Sequence, residues 1–434
     1  MKFDTLAIHA GAEPDPATGS RATPIHQTTS FVFQDADHAA RLFALEEFGN
    51  IYSRIGNPTV GVLESRIAAL EGGSMAVGCA SGHAAQMLVM HCLMEPGAEV
   101  AAAGQLYGGS INQFAHTFKK YGWGVKWFDI DDPESLDAAL TDKTRAVFVE
   151  SLANPGGLVT DLEACSAAAK RAGVPLVVDN TMATPFLTKP KDFGADIIVH
   201  SVTKFLAGHG NSIAGMVVDC GTFDWGASAG KYPSLSEPLD FYNGLAIHPT
   251  FGAIDLGSGP MNISLAIAAR AFALRDLGPA LSPFNAFMAL TGIETLPLRM
   301  QRHSDSALKV AQWLDQHPAV SWVSYAGLPG HKHYARAQKY APKGAGAVFT
   351  FGVKGGYEAA LKVTSNLKLF SMLANIGDTR SLVIHSASTT HRQLTDQQRE
   401  AAGALPDAVR LSIGLEDPDD IIADLDQALH TAGA

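Results

Sequence analysis

The stretch HSVTKFLAGHGNSIAG, residues 200–215, places Lys204 just behind the apolar run Ile197-Ile198-Val199, with hydroxyls at Ser201 and Thr203. Lysine is rarely buried without a partner, and a desolvated amine has a depressed pKa and can condense with an aldehyde. Ser201 and Thr203 are then spare donors for a phosphate. Upstream, LVVDNT ends an apolar run on Asp179. A carboxylate there either caps the next turn or faces a protonated ring nitrogen, whose charge would keep the acid ionised. In AVGCASGHAAQ a helix begins near Ser81. Its first backbone amides, at Gly82 and His83, either hold a phosphate or simply open the helix. Neither GxxxxGK[ST] nor GxGxxG is present there.

Two further residues join this group. Tyr107 in LYGGS is either a core tyrosine or a ring that stacks on a planar ligand. Asn154 in ESLANPGG either opens the turn before Pro155 or donates to a phenolic oxygen. Together these side chains match what pyridoxal 5'-phosphate requires: an aldehyde anchor, a pyridinium partner, a stacking face and a phosphate cradle. The combination is far more specific than any member.

The elements that must position them are short apolar strands alternating with helices. AEVAAA, GVKWFDI, RAVFVE, VPLVVDN and ADIIVH read as strands bounded by turn residues. VGVLESRIAALEG reads as a helix stopped by Gly72, and DLEACSAAAKRAG as one capped by Asp161 and stopped by Gly173. This alternation predicts an α/β fold with a mostly parallel sheet flanked by helices and ligands at the carboxyl ends of its strands. Residues 1–60 lack a clear period and read as an irregular arm that contacts a neighbouring subunit. Residues 61–268 form the large cofactor-binding domain, and the 221–244 stretch is an excursion near a site or interface. A second strand set (AVSWVSY, AGAVFTFGV, RSLVIHS, VRLSIGL) and the amphipathic DDIIADLDQALHTA place a smaller α/β domain at 269–434.

Composition narrows the partners. A chain of 434 residues with net charge -11 lacks the basic face needed for nucleic acid or an anionic membrane. The N-terminus has no signal-peptide core, and no run is long enough to span a bilayer, so a cytoplasmic protein is expected. Cys79, Cys92, Cys165 and Cys220 are scattered without CxxC spacing, which predicts buried reduced thiols rather than zinc or disulfides. His385 and His391 have no third ligand at suitable spacing, so no metal is expected.

Along essentially its whole length the chain resembles the fold-type I pyridoxal-phosphate enzymes of cysteine and methionine metabolism. YSRIGNPT, PLDFYNGLA, LSPFNAFMALTGIETLPLRMQRH, NIGDTRSLVIHSASTTHRQL and VRLSIGLED make it most similar to the O-acetylhomoserine sulfhydrylases among them. The resemblance implies that Lys204 is the Schiff-base lysine and proton carrier, with Tyr107 and Tyr52 also in the catalytic set. Asp179 would pair with the pyridinium, Tyr107 would stack on the ring, and Ser81, Gly82, His83, Ser201 and Thr203 would hold the phosphate. Tyr52 and Arg54 would reach the cofactor phosphate of a neighbouring subunit. Arg410 would take the substrate α-carboxylate as a bidentate fork, with Asn154 and Ser386 beside it.

The implied reaction is γ-replacement: O-acetylhomoserine and sulfide give homocysteine and acetate, and methanethiol gives methionine. The implied assembly is a homotetramer of dimers with shared sites. Relatives usually carry proline where this chain has Ser386 and glutamine where it has His83. Methionine lyases carry cysteine where it has Gly109, which argues against γ-elimination. Cystathionine γ-synthase and O-succinylhomoserine sulfhydrylase are the neighbouring alternatives, differing in ester and thiol. A non-catalytic scaffold on the same fold is opposed by intact Lys204, Asp179 and Arg410.

Overall fold

The computed structural model describes residues 1–257, 259–390, 392, 395, 399 and 403–431. In chain order the strands are β1 (Met75–Cys79), β2 (Glu99–Ala103), β3 (Gly124–Phe128), β4 (Thr144–Glu150), β5 (Leu152–Ala153), β6 (Leu158–Val159), β7 (Leu176–Asp179), β8 (Ile197–Ser201) and β9 (Gly215–Asp219). After these come β10 (Ile254–Asp255), β11 (Pro260–Met261), β12 (Val320–Ser324), β13 (Val348–Val353), β14 (Ser371–Met372), β15 (Leu382–Ile384) and β16 (Ala408–Ser412).

The large sheet has the order β1-β9-β8-β7-β4-β2-β3. It is parallel from β3 to β8, and β9 enters antiparallel between β8 and β1. Its central strands read as continuous apolar runs because both faces are covered: Val147, Phe148, Val149, Val177 and Val178 are fully buried. The second sheet, β12-β13-β16-β15-β14, is antiparallel except at β14–β15.

Local signals set the helix ends. Asn57 accepts from Thr59 N ahead of the Pro58–Glu71 helix, and Gly72 closes it at φ +75°. Asp161 and Gly173 do the same for Leu162–Ala172. Each side-chain cap is worth about 1 kcal/mol. Under the strand ends, Glu71 Oε1 accepts from His200 Nε2 at 2.7 Å and Asn180 Nδ2 at 2.8 Å. Asn180 follows β7 and His200 lies on β8, so one buried network braces the two strands that carry Asp179 and lead to Lys204. Removing one member of such a pair leaves a buried polar group uncompensated and costs about 3–5 kcal/mol.

Residues 1–60 are less irregular than their sequence suggests. They contain the helices Phe3–His9 and Ala36–Phe43, and the first docks on its own chain, with Ala7 buried and the Phe3 ring 5.6 Å from that of Phe186. The 221–244 stretch is anchored by buried Trp225 and Tyr232. All four cysteines are free and buried, and burial pushes the Cys79 and Cys165 thiols up to about 12. Among the described residues no helix is long and apolar enough to cross a membrane.

Candidate active site

The carboxyl ends of β1, β4, β7 and β8 open onto one cavity of about 260 Å³, closed on the far side by residues 374–376, Thr390 and Arg410. Ser81, Gly82, His83, Tyr107, Asn154, Asp179, Ser201, Thr203, Lys204 and Arg410 all line it. Tyr52, Arg54 and Ser386 do not. Tyr52 is 41% exposed on the N-terminal segment, with the Arg54 guanidinium 5.4 Å from its ring centre and bonded to the Arg275 carbonyl. Ser386 lies in the turn after β15, buried, and its hydroxyl has no hydrogen-bond partner among the described residues.

Lys204 is held in a turn just beyond β8, and its Nζ donates to Asn375 Oδ1 at 2.5 Å. Burial, reinforced by the Arg410 charge, lowers its pKa to about 8. A larger fraction is therefore free amine at neutral pH than for an exposed lysine. Asp179 Oδ1 accepts from Thr181 N at 2.9 Å and Oδ2 faces Gln86 Nε2 at 3.4 Å.

The N-terminus of the helix Gly82–Leu93 also opens onto the cavity. Ser81 caps it by accepting from Ala84 N at 3.2 Å. A Cβ at position 82 would lie 2.7 Å from Ser201 Cβ, so only glycine lets the helix start press against β8. Thr203 exchanges hydrogen bonds with Ala214, donating at 3.2 Å and accepting at 3.0 Å. Its hydroxyl proton must turn away from Ala214 to serve a phosphate. His83 meets Tyr107 edge-on with centroids 5.9 Å apart, and a Cβ at Gly109 would come within 2.4 Å of the Tyr107 ring and 2.8 Å of His83. A side chain at 109 would therefore push on both rings.

On the opposite wall, Arg410 of β16 is buried, which lowers its pKa to about 10. It donates to Asn154 Oδ1 at 3.2 Å and to the Asn375 carbonyl at 3.1 Å. Asn154 therefore sits beside the arginine.

Spacing alone did not single out Gln86, Glu150, Thr181 or Asn375, which also line the cavity. Gln86 lies one helical turn past Gly82, and Glu150 is the last residue of RAVFVE, the same strand-end position that marks Asp179; both signals are in the sequence. Asn375 has none, since it is brought to Lys204 across 171 positions. His385 is taken up by Ser388 Oγ and the Pro406 carbonyl, each at 2.8 Å, and His391 lies outside the described residues. Among the described residues His317, Asp426 and His430 bring ligand-type atoms within 4.8 Å of one another. His317 Nδ1 accepts from Ala319 N, however, so its Nε2 keeps the proton that faces Asp426.

The residues present fit pyridoxal 5'-phosphate. An accessible amine, a strand-end carboxyl, a helix N-terminus free of side-chain bulk and the buried Gln86 Oε1, without a hydrogen-bond partner among the described residues, share one cavity. A mostly parallel sheet presenting these groups at its strand ends defines a pyridoxal-phosphate enzyme of fold type I. The chain belongs to the Cys/Met metabolism PLP-dependent enzyme family, whose profile matches residues 4–430. It is 53% identical over 430 residues to an O-acetyl-L-homoserine sulfhydrylase of Leptospira meyeri, covering 99% of this chain and 97% of that one. It is 50% identical to O-acetyl-L-homoserine sulfhydrylase 1 of Thermus thermophilus, covering 99% and 100%. A crystal structure of an O-acetylhomoserine (thiol)-lyase from Campylobacter jejuni, with N'-pyridoxyl-lysine-5'-monophosphate at position 205, superposes with a TM-score of 0.94 at 38% identity, covering 99% and 100%.

Proposed function

We infer that the protein catalyses γ-replacement on O-acetylhomoserine, using sulfide to give homocysteine and acetate in methionine biosynthesis, with methanethiol as a second acceptor that gives methionine. The observation that carries this reading is the single cavity joining Lys204, Asp179 and Arg410, in a chain that matches sulfhydrylases over its full length. The pyridoxyl-lysine of the Campylobacter protein corresponds to Lys204 here.

Bound pyridoxal 5'-phosphate supplies an electron sink for charge that develops on the substrate carbons. The rest falls to the protein. Arg410, beside Asn154, receives the substrate carboxylate as a two-pronged donor and so fixes the amino acid's orientation. Lys204 Nζ, with its lowered pKa, is able to take the α-proton and return it later. Asp179 would face the ring nitrogen and favour its protonated form, and Tyr107 would cover one ring face. The Gly82 and His83 amides, Ser81, Ser201 and Thr203 hold the phosphate. Tyr52, exposed, and the half-buried Arg54 would complete the phosphate site of a neighbour, which calls for a dimer at least and favours a tetramer in the cytoplasm.

The test is product identification. Purified protein loaded with cofactor is incubated with O-acetylhomoserine plus sulfide, methanethiol or cysteine, and in parallel with O-succinylhomoserine. Homocysteine from the acetyl ester and sulfide is expected. Cystathionine as main product, or 2-oxobutanoate without any thiol, would replace this reading with a synthase or a lyase.

A further inference from the structure

Glu150, the last residue of β4, is 5% exposed and faces the cavity. Its carboxylate is shared between two segments far apart in sequence. Oε1 accepts from the backbone N–H of Tyr107 at 2.7 Å, and Oε2 from that of Asn154 at 3.0 Å. Tyr107 ends the loop after β2, just before the helix Gly108–Asn112; Asn154 follows β5 and meets Arg410. One side chain thus ties the ring on one side of the cavity to the carboxylate-binding pair on the other.

We propose that Glu150 is a positioning residue that sets, through these two amides, the spacing between the Tyr107 ring and the Asn154–Arg410 pair, and so couples ring stacking to capture of the substrate carboxylate. The proposal rests on the functional reading above for its substrate.

Two observations support it. First, only a carboxylate offers an acceptor to both amides, because a carboxamide of the same shape turns an NH2 group toward one of the N–H donors. Second, the arrangement is expensive. Burial, and then the Asp179 carboxylate directly opposite in the β4–β7 register, push the Glu150 pKa well above the usual carboxylate range. A tie needed only to hold the chain together could be made by a neutral group at lower cost.

The experiment compares Glu150→Gln and Glu150→Asp with the parent, each loaded with pyridoxal 5'-phosphate. Three quantities are read well below the melting temperature: visible circular dichroism of the bound cofactor, its dissociation constant, and KM against kcat for O-acetylhomoserine. For the Gln variant we expect an altered dichroism and a KM raised about tenfold or more, with a smaller change in kcat. The Asp variant, which keeps two acceptors on a shorter stem, should recover part of both. A Gln variant whose dichroism and KM match the parent overturns the proposal, even if its melting temperature has fallen, since the side chain would then serve the fold alone. Failure of the parent to make homocysteine would sink the functional reading only, because the dichroism of the loaded variants still tests the positioning.

Discussion

On the large-sheet wall of the cavity the two carboxylates are held by their own domain. Asp179 is fixed by Thr181 N and Gln86, and Glu150 by two amides. Beneath them Glu71 braces Asn180 and His200. On the small-sheet wall the contacts cross between domains: Arg410 reaches Asn154, and Asn375 reaches Lys204. The large-sheet half thus fixes Asp179 and Glu150 by itself, while the half that would take the substrate, and Lys204 with it, is tied across the two domains. A further cross-domain tie lies outside the cavity, where Asp131 accepts from Lys332 at 2.6 Å and from His333 and Arg336 at 2.7 Å.

Substitutions on the two walls should separate these roles. Lys204→Ala carries the largest expected effect: turnover falls by about a thousandfold or more, and the visible band of the lysine-linked cofactor disappears, with the melting temperature little changed. Turnover close to the parent's would break the assignment. Arg410→Ala comes next, raising the amino-acid KM about 10- to 100-fold while cofactor stays bound, measured by initial rates and absorbance.

The same variant sharpens the comparison through pH. Lys204 is protonated and inert below about 8 and free above it, so capture of pyridoxal 5'-phosphate by apoprotein should rise with pH through that value. Removing the Arg410 cation should move this midpoint upward. A midpoint that stays put would mean the two walls are electrically independent.

Asp131→Ala should have the smallest effect, about 1 kcal/mol of stability by thermal melting and less than about threefold in kcat/KM, since the group is partly exposed and screened. Burial raises the Asp131 pKa, but hydrogen bonds from Lys332 and His333 outweigh it and hold the carboxyl at about 2. Its contribution is thus present above the ordinary carboxylate range and lost as pH falls through about 2. A large loss of turnover would make this tie part of the substrate half.

The same division governs what the sequence revealed. Strand ends are legible because an apolar run that stops on a polar residue is a local pattern, so Asp179, Lys204 and the Ser81–His83 helix start could be found one at a time. Arg410 sits inside the strand AVRLS and looks like any strand arginine; its role came only from family resemblance. Asn375 has no local signal because its position depends on domain packing. In sequence, residues 3–9 read as part of an arm, since a seven-residue helix that packs through Ala7 and Phe3 shows too little periodicity to register. The resemblance groups Ser386 with the substrate residues, yet it is buried and does not line the cavity.

The sulfur chemistry of the chain itself has a consequence. Cys79, Cys92, Cys165 and Cys220 are at most 4% exposed, and burial pushes every one of their thiols above the usual range. An enzyme that admits sulfide meets a reagent that exchanges with accessible oxidised thiols and builds persulfides on them. This protein presents no such surface: the cavity wall offers an amine, a guanidinium and carboxyl groups, and none of the four cysteines lines it.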